Sequence, residues 1–140
     1  MRMSKYFKIY ELVPKVYFER GEELNLWRHL SPELVHNIDL IREDWGRSLT
    51  ANNYFWGGKS QYRGWRPQDC PIGAPKSAHK QGLAIDLVPH NLTLIPEFWL
   101  FCHDNAEKYG ITEIEDKSLT PTWVHISWRI HNQKGVRIIK

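Results

Sequence analysis

Two imidazoles and one carboxylate stand out from the 140 residues as groups that can do chemistry together. His79 and Asp86 lie seven positions apart in Ser77-Ala78-His79-Lys80-Gln81-Gly82-Leu83-Ala84-Ile85-Asp86, and His125 follows in Trp123-Val124-His125. Three such ligands suit a catalytic zinc ion, which keeps its fourth tetrahedral position for water, whereas structural zinc sites close all four positions, usually with cysteines. Only Cys70 and Cys102 are present, unpaired in spacing, so a closed thiolate site is not expected and both are read as reduced thiols. The remaining histidines near the motifs, His90, His103 and His131, lack paired ligand spacing.

The elements that must carry these ligands are legible from periodicity. Leu83 to Val88 alternates, so that Leu83, Ile85 and Leu87 share one face and Ala84, Asp86 and Val88 the other. In Trp123 to Ile130 the same period sends Val124, Ile126, Trp128 and Ile130 to a core face, opposite Trp123, His125, Ser127 and Arg129. Two adjacent antiparallel strands would then present Asp86 and His125 side by side. His79 would reach them from a loop, with Gly82 permitting the tight path between.

Around these strands, Ser31-Pro32-Glu33 opens an amphipathic helix through Leu34, Ile38, Ile41 and Trp45 that stops at Gly46. A second helix is expected from Pro96 through Trp99, Cys102, Ala106 and Tyr109 to Gly110. Tyr54 to Lys76 reads as long functional loops with a short strand around Tyr62, and further strands are expected at Ile111–Glu115 and Val136–Ile139. The expected architecture is α+β: one domain over 1–140, an antiparallel sheet carrying the zinc site and helices packed on its other side.

The pattern Ser-x-His-x-x-Gly-x-Ala-x-Asp followed by Trp-x-His resembles peptidase family M15, the zinc D-Ala-D-Ala carboxypeptidases and L-alanyl-D-glutamate endopeptidases whose fold is shared with the hedgehog signalling domain. Asn52-Asn53 and Arg63-Gly64-Trp65-Arg66 resemble further family segments, and the likeness runs to about Arg129. It implies a hydrolase acting on peptidoglycan stem peptides, with Zn2+ on His79, Asp86 and His125, as in cell-wall degradation by phage endolysins. It also implies that Arg66, matching the family arginine, clamps a carboxylate or steadies an oxyanion, and that Ser77 holds the ligand loop or a substrate group. Trp123, on the face of His125, would floor the substrate cleft.

Peptide hydrolysis also needs a base. In many relatives it is a Glu three residues before the last histidine, where this chain has Thr122. Glu113, Glu115 and Asp116 are the candidates, with Glu115 preferred. Ser127 stands where several relatives carry Asp to orient a ligand. The missing Glu keeps a second reading open, a zinc-containing cell-wall or protein-binding domain without turnover.

Composition narrows the field. Hydrophobic residues make up 41% and charged residues 25%, which indicates a globular chain. The net charge is +3, with the basic residues scattered, so no nucleic-acid stripe is expected. No signal-peptide run and no membrane-spanning run is present. The expectation is a monomer made in the cytoplasm without a signal peptide and acting on the bacterial wall, its partner a peptidoglycan peptide.

Overall fold

A computed structural model describes residues 1–140. Three helices precede the sheet: α1 (Lys15–Arg20), α2 (Glu23–Leu26) and α3 (Pro32–Trp45). Pro32 at the first position and Gly46 at φ 73° bound α3 as expected, since a left-handed residue closes a helix at least cost when it is glycine. The two shorter helices were not expected from periodicity; Pro14 starts the first and Gly21 separates them.

Strands β1 (Leu49–Thr50) and β2 (Ala84–Pro89) follow, then α4 (Ile95–Asp104) and α5 (Ala106–Tyr109), then β3 (Glu113–Glu115), β4 (Val124–Ser127) and β5 (Arg137–Ile139). The expected second helix is thus broken at Asn105, whose side chain donates to the Phe101 carbonyl, before α5 ends at Gly110. No strand forms around Tyr62.

The sheet order is β1-β2-β4-β3-β5. The first three pairings are antiparallel, but β3 and β5 run parallel, so the sheet is mixed rather than purely antiparallel. The cause is occupancy. β2 and β3 already flank β4, so the chain reversing after β4 cannot pair with it and takes the free edge of β3 instead, where the reversed direction matches that of β3.

Ile85 and Leu87 of β2, Ile114 of β3, and Val124 and Ile126 of β4 are fully buried in one apolar cluster with α3 and α4. At about 25 cal/mol per Å² of apolar area removed from water, such residues supply most of the driving force for folding. Trp128 joins this core, but Ile130 is 92% exposed, because β4 ends at Ser127 and the period-2 rule lapses with it.

Candidate metal centre

Within β2, Asp86 alternates with the buried Ile85 and Leu87, and within β4, His125 alternates with Val124 and Ile126, so both point away from the helices. The antiparallel register sets Asp86 directly opposite His125. This is the juxtaposition expected from the alternation alone.

His79 arrives from a 3-10 turn, Ala78–Gln81, just before β2. Ser77 caps that turn, its Oγ accepting from the His79 N–H at 3.3 Å. Gly82 closes it at φ 71°, where any added Cβ would also overlap the His29 carbonyl. Gly64 lies against Leu12 so closely that a side chain there would overlap its backbone, and from that position its carbonyl reaches the His79 ring.

Three donor atoms converge. His125 Nδ1 lies 2.8 Å from Asp86 Oδ1, His79 Nε2 lies 3.2 Å from the same oxygen, and the two ring nitrogens are 3.1 Å apart. His79 Nδ1–H donates to the Gly64 carbonyl at 2.8 Å. A carbonyl oxygen only accepts, so Nδ1 carries a proton, and in the neutral imidazole the Nε2 lone pair is turned inward. A neutral His125 can donate to Asp86 Oδ1, but His79 Nε2 and that oxygen then face each other lone pair to lone pair. One shared cation relieves all three contacts.

The donor set therefore fits a metal ion. A tetrahedral ion with bonds of about 2.0–2.2 Å places its ligand atoms roughly 3.4 Å apart, close to the separations here. Burial by itself would raise the Asp86 pKa, but His79 and His125, when they carry positive charge, outweigh it and hold the carboxyl well below the usual carboxylate range, as a shared cation would. Asp86 is thereby kept in the ionised form a metal requires.

The other expected site residues gather round this centre. Arg66, Ser77, Glu115 and Trp123 line one cavity of about 190 Å³ with the three ligands. Arg66 Nη2 stands 3.6 Å from Asp86 Oδ2, while its Nε–H donates to the Tyr62 carbonyl at 2.7 Å. Its backbone N–H donates to the His79 carbonyl, tying the arginine loop to the ligand turn. The backbone carbonyl of Glu115 accepts from Trp99 Nε1 at 2.8 Å, so α4 anchors the strand end from beneath.

The two rival acids are occupied elsewhere. Glu113 is 1% exposed and pairs with Arg129 at 3.1 Å and Arg137 at 3.7 Å. Asp116 folds back on Ser118, accepting from its N–H at 2.9 Å and its hydroxyl at 2.8 Å, and those bonds lower its pKa. Ser127 makes no hydrogen bond to the His125 ring; its hydroxyl accepts from the Arg129 N–H at 3.0 Å.

No family model, curated protein or solved structure matches the chain. The likeness to the M15 peptidases therefore stands on the motif residues. One participant escaped sequence reasoning: the Gly64 carbonyl is a backbone group that no residue type announces. Asn52, singled out by the resemblance but given no role there, is buried, accepting from the Arg63 N–H and donating to the Val13 carbonyl to hold the loop in place. His103 lies in α4 as expected, and His131 braces the final turn, its Nε2–H donating to the Thr112 carbonyl. Both cysteines are free and buried. No helix is long and apolar enough to cross a membrane.

Proposed function

We propose that this chain is a zinc-dependent hydrolase of amide bonds in peptidoglycan stem peptides. The observation that carries the proposal is the convergence of His79, Asp86 and His125 in one cavity with the otherwise unemployed carboxylate of Glu115. A zinc ion on the three ligands supplies Lewis acidity, polarising a carbonyl and making a water acidic.

Glu115 accepts the proton of the water that attacks the carbonyl carbon and returns it to the leaving nitrogen as the C–N bond breaks. Its backbone bond to Trp99 keeps the strand end fixed during that exchange. Arg66 directs its guanidinium to the same cavity, where it can bind the carbonyl oxygen as negative charge develops. Ser77 holds the turn that aims His79, and Trp123 supplies an apolar wall for the substrate.

The choice of stem peptides as substrate is supported by the Ser-x-His-x-x-Gly-x-Ala-x-Asp and Trp-x-His motifs, and phage-type lysis or wall degradation is the setting those motifs suggest. Thr122, standing where the catalytic Glu is usual, favours one rival, a zinc-containing binding domain without turnover. Digestion of purified peptidoglycan, with mass spectrometry of the new termini, separates the two. Newly freed amino and carboxyl ends at one stem-peptide bond support hydrolysis; zinc-loaded protein that binds wall fragments and releases no ends supports the rival.

A further inference from the structure

A second cavity, of about 320 Å³, adjoins the metal centre and shares Arg66, Asp86 and Trp123 with it. Its charged lining is one-sided. Lys59, Arg63 and Arg66 face it, and Asp86 is the only carboxylate. That carboxylate is already engaged, with Oδ1 between two histidines and Oδ2 beside Arg66. A cation on the three ligands would draw on it further, leaving Arg63 without a counter-charge.

Arg63 is the less satisfied of the two arginines. It is half-buried, its Nη1–H donates to the Ala51 carbonyl at 3.2 Å, and its other guanidinium donors have no protein acceptor. Partly withdrawn from water and bonded only to a carbonyl, the guanidinium has no anionic partner at hydrogen-bond distance. Arg66 differs, since its Nε–H has the Tyr62 carbonyl and its Nη2 has Asp86. A planar fork with free parallel donors matches a carboxylate better than any other common anion of a peptide.

We infer that the cavity lined by Lys59, Arg63 and Trp123 is a substrate subsite for a carboxylate-bearing residue next to the scissile bond, and that Arg63 is its specificity-determining donor. The inference rests on the hydrolase reading for its substrate but not for its geometry. It assigns the carboxylate to Arg63 and leaves Arg66 to the reacting carbonyl. Ile72 and Trp123 bound the same cavity and would pack the aliphatic part of the residue.

Calorimetric titration tests this without turnover. The full chain carrying Glu115→Gln is titrated with a stem pentapeptide whose carboxylates are all free, and with derivatives in which each carboxylate in turn is a primary amide. One derivative should bind about tenfold to a hundredfold more weakly than the free acid, the range expected for charge-assisted bonds. Adding Arg63→Gln should weaken the free acid to that level and leave the amide unchanged, while Arg63→Lys restores part of the difference. Equal affinity for all derivatives, a parallel loss for acid and amide on Arg63→Gln, or no binding of the free acid would each overturn the subsite. Thermal melts of the Arg63 variants establish that they fold, and the comparison of peptides on the Glu115→Gln chain needs no Arg63 variant. The two readings fail separately. Hydrolysis of acid and amide at one rate removes the subsite and keeps the hydrolase, whereas discrimination in binding with no hydrolysis by the unsubstituted chain does the reverse.

Discussion

Three acids within four residues, Glu113, Glu115 and Asp116, should respond to amide substitution in three different ways. Glu113 is 1% exposed and accepts from Arg129 at 3.1 and 3.4 Å, with Arg137 3.7 Å away. Glu113→Gln keeps the shape but sets an amide NH2 against two guanidinium groups. Losing a charged hydrogen-bond partner in a buried position costs about 1.5–3 kcal/mol, and the exposure of both arginines to solvent brings the expected loss to about 2 kcal/mol. For a chain of this length that is a fall in Tm of roughly 6 °C. Glu115→Gln should instead leave the melt and the zinc content alone and lower kcat by about a hundredfold or more, because the amide cannot take the proton. Asp116→Asn should do neither, since its side chain only caps a surface turn with Ser118. Calorimetric melts, metal analysis and wall-fragment turnover on the three variants supply the comparison. Lost activity in Asp116→Asn with Glu115→Gln unaffected would refute the assignment of the base, and an unchanged melt in Glu113→Gln would refute the account of its ion pairs.

Removing the metal should cost stability as well as activity, because ions bind the folded site preferentially. At a free concentration one hundred times Kd the ion contributes about 2.7 kcal/mol, so chelation should lower Tm by roughly 8 °C, and the shift should vanish in a His79→Ala/His125→Ala chain. Arg66→Lys should reduce kcat/KM on wall fragments while zinc content holds, because the fork is lost though the charge remains; unchanged kinetics would return Arg66 to a purely structural role beside Asp86. Gly82→Ala should destabilise the chain by about 2 kcal/mol or more, from left-handed backbone strain and overlap with the His29 carbonyl, measured by urea denaturation.

The strand face shared by Asp86 and His125 was legible because each residue sits between fully buried aliphatic neighbours, and a period of two leaves only one face for it. The bounds of α3 were legible because Pro32 and Gly46 act through local backbone preferences. The parallel run of β5 was not, since it depends on which edges of β4 are already taken, a fact of the whole sheet. The break at Asn105 is a local side-chain bond to the Phe101 carbonyl that apolar periodicity passes over. Glu115 was separable from Glu113 and Asp116 only through their partners, Arg129 and Arg137 for one and Ser118 for the other. The Gly64 carbonyl, which fixes the His79 tautomer, has no signature in residue type.

Metal analysis of the purified chain tests the central claim most directly. Inductively coupled plasma mass spectrometry should find about one zinc per chain, and X-ray absorption should show nitrogen and oxygen neighbours at about 2.0–2.2 Å with no sulfur. The His79→Ala/His125→Ala chain should retain none. Stoichiometric zinc in that double variant, or a sulfur neighbour in the unsubstituted chain, would contradict the assignment of His79, Asp86 and His125 as the metal ligands.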